Sequence, residues 1–287
     1  MVCAESFSGG VLRILSDLHC YDARTQVRDL SQLEPLLEGV GTLVLNGDSC
    51  EMRRDITSDQ VGALRAFFRE RVPAVTFITG NHDPDISETH ELLMADGRVW
   101  VTHGDIFLEG LTPWSRRAEQ LRHLQQAQMT GGPAWAELGA EARLQIARAV
   151  ARAEEDLPDY VTGGWRANAR WVGRTFFPPR QVIAMLRAWR DLPGLAARLA
   201  VAQRPSAQVV VTGHVHFPGV WRHKRGPVVV NTGSFFQPLG GNLVDVFPDR
   251  VEVRRIGRIG NAFTPGRLLA EIPLSAQIAR REHQGDT

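Results

Sequence analysis

Short β-branched apolar runs alternate with helix-spaced stripes along the first hundred positions. VLRILSD (11 to 17), TLVLNGD (42 to 48), AVTFITGNHD (74 to 83) and RVWVTHGD (98 to 105) each begin apolar and end in a polar loop, which predicts strands. Leu30, Leu33, Leu36 and Leu37 form a helix-like stripe between the first two. Val61, Leu64, Phe67 and Phe68 form another, which Pro73 stops. Strand, helix, strand at this spacing predicts βαβ units in an α/β fold with a largely parallel sheet.

From 106 to about 205 the pattern changes to Ala, Arg, Leu and Trp, with tryptophans at 114, 135, 165, 171 and 189. Leu138, Ala142, Ile146, Ala149, Val150, Ala153 and Leu157 keep the helical period between Pro133 and Pro158. Val182, Ile183, Leu186 and Trp189 predict a second helix that stops before Pro193. Strands then resume at 208 to 214, 227 to 234, 242 to 247 and 250 to 256. The expected organisation is one α/β domain over 1–287, interrupted by a helical, cap-like insertion, with a loose polar end of about twenty residues. The Trp and Arg residues of the insertion read first as an amphipathic packing layer.

The polar groups that close the runs carry the chemistry. The first run ends in Asp17-Leu18-His19, the second in Gly47-Asp48 and the third in Gly80-Asn81-His82-Asp83. The fourth ends in His103-Gly104-Asp105, and the run from 208 in Gly213-His214-Val215-His216. Ligand sites of open α/β sheets gather outside the carboxyl ends of the strands, so these loops are expected to converge. Together they offer carboxylates, neutral imidazoles and one amide oxygen without a thiolate, a set suited to Mn²⁺, Fe²⁺ or Zn²⁺. Residues two apart in an extended segment share a side, so Asp17 and His19, or His214 and His216, can address one site. Asn81 can offer its amide oxygen to a metal while His82 points at substrate. GD and GN alone are turn dipeptides, and a lone His after a strand is usually a loop residue. The joint order DxH, GD, GNHD, HG, GHxH is what carries the reading. His90, His123, His223 and His283 fall outside it and read as solvated or structural.

Bulk properties remove other classes. A formal charge of +1 gives no global pull toward nucleic acid or anionic membrane. Cys3, Cys20 and Cys50 have no CxxC spacing, which excludes a disulfide framework and leaves Cys20 and Cys50 as small buried fillers. Neither GxGxxG nor GxxxxGK[ST] occurs. Arg13 interrupts the only apolar run near the start, so no signal peptide is expected; no stretch has the length of a membrane span, and a cytoplasmic setting is expected.

Over 11 to 105 and 208 to 235 the motif order resembles the calcineurin-like metallophosphoesterases. The resemblance implies a four-layer sandwich of two mixed β-sheets flanked by helices, with a two-metal site at the sheet edge. Carried over, Asp17, His19 and His216 would hold one metal with Asp48. Asn81, His103 and His214 would hold the other, with Asp48 bridging and His82 as general acid. The implied activity is hydrolysis of a phosphate ester or pyrophosphate, in a small-molecule or lipid-linked substrate, by hydroxide activated between two divalent ions, manganese first and iron or zinc otherwise.

Departures narrow the choice. The superfamily's protein Ser/Thr phosphatases carry GDxxDRG and GNHE, whereas GDSCEMR and GNHD stand here. Glu51 replaces the Asp that pairs with the catalytic His, and Met52 replaces a phosphate-binding Arg, so a protein phosphatase is not expected; Glu51 can still orient His82. The UDP-2,3-diacylglucosamine pyrophosphohydrolases of lipid A synthesis are similar in having a helical insertion after HGD, although many have Arg where His82 stands. A non-catalytic scaffold of the same fold is the third reading.

Overall fold

The computed structural model describes residues 10–52, 56–155 and 180–275. Its strands are β1 (Val11–Leu15), β2 (Val40–Asn46), β3 (Ala74–Ile78), β4 (Glu91–Met94), β5 (Val99–Thr102), β6 (Val209–Thr212), β7 (Gly219–Trp221), β8 (Val228–Asn231), β9 (Asn242–Val246), β10 (Arg250–Ile259) and β11 (Ala262–Pro273). Its longer helices are α1 (Ser58–Arg71), α2 (Ala118–Gln128), α3 (Ala140–Glu155) and α4 (Arg180–Gln203). The strands form two sheets, β11-β10-β9-β1-β2-β3 and β4-β5-β6-β8-β7.

Period-two alternation builds the layers. Leu12 and Ile14, Val99 and Val101, and Val209 and Val211 point into the core shared by the two sheets. Their neighbours point outward: Leu15 joins Leu33, Leu64 and Phe68 under the helices of the first sheet, while Trp100 and Val210 meet Leu144, Leu192 and Ala196 under those of the second. Helices, sheet, sheet and helices therefore stack in four layers. Arg13, outward in β1, is buried because its guanidinium binds the carboxylate of Asp245 directly across on β9, at 2.7 and 2.8 Å.

Both sheets are mixed, which corrects the expectation of a largely parallel sheet. β1-β2, β2-β3, β5-β6 and β6-β8 are parallel; the other five pairs are antiparallel. The antiparallel pairs include β4-β5 and β9-β10-β11, whose short connections leave no room for a crossover. The stripe at Leu30–Leu36 is a 3-10 helix, with Pro35 inside removing an α-type donor and Asp29 and Gln32 forming a capping box. α1 starts at Thr57, whose side chain accepts from the Gln60 N–H while that of Gln60 accepts from the Thr57 N–H.

The predicted stop before Pro193 does not occur. α4 runs through it, because Leu192, Pro193, Ala196, Ala197 and Ala200 are buried on one face and packing there offsets a missing backbone hydrogen bond. Leu157, Pro158, Trp165, Trp171, Cys3, His283 and most of the predicted loose end lie outside the described residues. Among the described residues no helix is long and apolar enough to cross a membrane.

Candidate metal centre

The carboxyl ends of five strands meet at one edge of the sandwich. Asp17 follows β1, Asp48 follows β2 and Asn81 follows β3; from the other sheet, His103 follows β5, and His214 and His216 follow β6. Asp17, His19, Asp48, Asn81, His103 and His214 are buried. One donor atom each from Asp17, His19, Asp48 and His216 falls within 4.8 Å of the others, and the same holds for Asp48, His103 and His214. Asp48 belongs to both groups. Its Oδ2 lies 3.7 Å from His19 Nε2 and 3.3 Å from His103 Nε2. Asn81 joins the second group, with Oδ1 3.3 Å from His103 Nε2.

The backbone reaches this arrangement by a route the sequence did not suggest. Asp17, His19, Asp48, His214 and His216 have φ of 52°, 47°, 50°, 70° and 54°. Left-handed turns, not an extended segment, aim each pair of residues two apart at one site. Non-glycine residues rarely sit there, and such strain gathers at functional sites. The glycines of the motifs have a steric reason beyond turning. A Cβ on Gly80 would collide with the Asp48 carboxylate, and one on Gly213 with that of Asp17.

Hydrogen-bond partners show whether these residues fit cations. His214 Nε2 lies 3.0 Å from the Leu111 carbonyl, which can only accept, so Nε2 carries the proton and Nδ1 keeps its lone pair. That Nδ1 is buried without a partner. His103 Nδ1 likewise donates to the Asn46 carbonyl at 3.0 Å, leaving Nε2 toward Asp48 and Asn81. His19 Nε2 and His216 Nε2 face each other at 3.1 Å, and Asp17 Oδ1 lies 3.2 Å from the latter. Burial drives the His19 pKa well below its usual value, and burial with the charge of His103 takes His214 down to about 3. Both are held neutral, as ligands must be. Burial opposes charge on His103 too, but Asp48, Asp17 and Asp105 together raise its pKa well above the usual range, so a proton there balances the carboxylates. Carboxylate, amide and imidazole donors gathered around Asp48, with His214 Nδ1 buried and unpartnered, fit divalent cations.

His82 adjoins the first ligand group, its ring set edge-on to that of His19 with centroids 4.9 Å apart. Its Nδ1 lies 2.9 and 2.8 Å from the oxygens of Glu51, the pairing expected from GDSCE, and its backbone N–H donates to Asp48 Oδ1 at 2.8 Å. Asp83, given no role from sequence, holds both loops. Its buried carboxylate accepts from the N–H groups of Asp48, Ser49 and Gly80 at 3.0, 2.7 and 2.8 Å. Burial and the Asp48 charge push its pKa up to about 7.

A cavity of about 350 Å³ opens over these groups, lined by Asp48, Asn81, His82, His214 and His216 on one side. Trp114, Met185 and Trp189 of the insertion line it too, with Phe236 and Leu239 from the loop after β8. The insertion therefore both packs on the second sheet and reaches the site. The Phe-Phe-Gln-Pro-Leu run at 235 to 239, apolar where a loop follows a strand, is the signal that sequence reading left unused. His90 is structural, with Nδ1 2.7 Å from the Thr79 hydroxyl, and Cys20 and Cys50 are buried free thiols.

No protein-family model matches the chain, and no curated protein matches it. Among solved structures it is similar to a predicted phosphoesterase from Streptococcus pneumoniae (16% identity over 93% of this chain and 99% of that one, TM-score 0.39). It is also similar to Vps29 complexed with zinc from Entamoeba histolytica (10%, 92% and 99%, 0.41) and to a dimetal phosphatase from Danio rerio (11%, 93% and 99%, 0.42). Likeness at this level assigns no activity, substrate or partner. On its own architecture the chain is a four-layer sandwich of two mixed sheets, with the motif loops gathered at the edge that the two sheets share.

Proposed function

We propose that the protein is a dinuclear metal-dependent phosphoesterase. The observation that carries this is a pair of ligand groups sharing Asp48, with the His82–Glu51 pair beside them. Manganese suits the mixed oxygen and imidazole donors, as do iron and zinc. Two bound cations would supply Lewis acidity toward phosphoryl oxygens and a water of lowered pKa.

The remaining work falls to side chains of this chain. Asp48 offers a carboxylate to both ligand groups. His82, held at Nδ1 by Glu51, gives a proton from Nε2 to the departing oxygen, and the Glu51 carboxylate orients the ring for that transfer. Asp83 fixes the GD and GN loops against each other. Trp114, Trp189 and Phe236 line the cavity beside them. A binding scaffold has no need of the His82–Glu51 pair, which favours catalysis. Nothing in the described lining of the cavity singles out the lipid A pyrophosphohydrolase reading.

The test is activity of protein stripped with chelator and reloaded with Mn²⁺, assayed on aryl phosphomonoesters, aryl diesters and nucleotide pyrophosphates. Metal-dependent turnover on at least one class, lost in His82→Ala, is expected. Protein that holds two equivalents yet turns over none of them would refute the reading.

A further inference from the structure

The cavity has a polar floor and an apolar wall, and the wall comes from three separate parts of the chain. Trp114 follows the 3-10 turn Asp105–Phe107, Met185 and Trp189 belong to α4, and Phe236, Pro238 and Leu239 follow β8. Two of its rings are fixed in place. Trp189 stacks on Phe217 with centroids 4.6 Å apart and planes at 14°, and its Nε1–H donates to the Val215 carbonyl at 2.8 Å. Phe236 stacks on the ligand His19 at 4.5 Å and 18°. Trp114 leans over the ligand His214, with ring centroids 5.4 Å apart. Fixed rings need no ordering when a ligand arrives, so their apolar area is available to binding.

Charge points the same way. Among the described residues, no Lys or Arg lines the cavity. Arg24 stands over the Phe236 ring at 5.3 Å, but its guanidinium is already bound by the Asp22 carboxylate at 2.7 Å. The described part of this wall is indole, phenyl and thioether surface, which suits an uncharged group better than a second phosphate. The cavity, about 350 Å³, has room for a phosphate together with a ring.

We propose that this wall is a specificity subsite for an uncharged aromatic or alkyl group, so that the substrates are aryl or alkyl phosphate esters and not polyphosphates. The proposal rests on the phosphoesterase reading of the metal centre and names its substrate class. The phosphate would lie over the two ligand groups, and the esterified group would lie between Trp189, Trp114 and Phe236. Hydrolysis there breaks the bond between phosphorus and the ester oxygen; water supplies the new oxygen on phosphorus, and the departing oxygen takes a proton.

The test compares phenylphosphonate with methylphosphonate, which carry the same headgroup and cannot turn over. Calorimetry on Mn²⁺-loaded protein should show the phenyl compound bound about tenfold more tightly, the advantage of one stacked and desolvated ring. Trp189→Ala should bring that ratio close to one, and Trp189→Phe, which keeps a ring against Phe217, should retain most of it. Hydrolysis should follow, with kcat/KM for phenyl phosphate above that for a nucleoside diphosphate. Equal binding of the two phosphonates by the wild-type protein overturns the subsite while leaving the metal centre intact. So does a ratio unmoved in both Trp189→Ala and Trp114→Ala, or a preference for the nucleoside diphosphate. If metal-loaded protein binds neither phosphonate, the phosphoesterase reading itself falls, and the subsite with it.

Discussion

Asp48 Oδ2 faces His19 on one side and His103 on the other, and Oδ1 accepts the backbone N–H of His82. Asp48→Asn keeps the shape but halves the acceptor set. Metal content measured by elemental analysis should fall from two equivalents toward one or none, and turnover with it. His82→Ala removes no proposed ligand, although its ring packs edge-on against His19, so most metal should stay bound while turnover drops about 10²–10⁴-fold, less for good leaving groups such as nitrophenolate. An equal loss for good and poor leaving groups would count against proton donation. Asp83 gives a pH signature. Its folded-state pKa of about 7 lies above the ordinary 3.8, so the folded state holds the extra proton. Its stabilising contribution is complete below about pH 4 and is lost as pH rises through 7. Thermal melts of metal-free protein should show that decline, and Asp83→Asn should lack that component. That the candidate ligands would gather was legible in the sequence because each follows closely on a strand-forming run. Asp83 was not, because any turn following GNH accepts an Asp, and only coordinates show three N–H groups converging on it.

At the scale of elements, the loops are held by close approach as much as by hydrogen bonds. Gly80→Ala would drive a methyl group into both the carboxylate and the backbone nitrogen of Asp48, so the two loops would have to part. Metal affinity should fall about 10–100-fold with an unchanged circular dichroism spectrum. α3 reaches the same loop from the insertion. Arg148 donates to the Pro84 and Ser87 carbonyls at 2.9 and 3.1 Å, and so clamps the segment just after Asp83. Arg148→Ala should destabilise the fold by about 2 kcal/mol, read as a lower denaturation midpoint. The central strands were legible because burial on both faces leaves unbroken Val, Leu and Ile runs. At the edges β3 was legible too, but β4, β7 and β11 were not. β4 has four residues, β7 has three, and β11 carries Pro265 and Gly266, which an edge strand tolerates and a sequence reader takes for a break. Pro193 misled in the same way, because packing against the second sheet outweighs a local preference.

Across the whole molecule, the ligands divide between the sheets: Asp17, Asp48 and Asn81 come from the first, His103, His214 and His216 from the second. Cations bound there would join the two halves of the sandwich at one edge. At a free metal concentration 100 times the dissociation constant, binding stabilises the folded chain by about 2.7 kcal/mol. Chelation should therefore lower the melting temperature. Hydrogen exchange should then speed up at the ends of β2 and β5 together; a response confined to one sheet would show that the cations do not link them. The four-layer architecture was only half legible. Periodicity reports that a strand is buried on both faces, but not whether the second face meets a helix or another sheet.

The five left-handed ligand residues give the chain something selection can act on. Each holds a conformation that costs about 1–2 kcal/mol for a residue with a Cβ, and glycine would relieve it. At His216, φ 54°, glycine should therefore outdo alanine in metal-free stability by about 1 kcal/mol, the reverse of the usual order. A mutant library sorted for heat resistance alone should drift toward glycine at Asp17 and His216, while one sorted for metal-dependent hydrolysis should keep them. Deep sequencing of the two pools would show whether the tension in these turns is maintained by use.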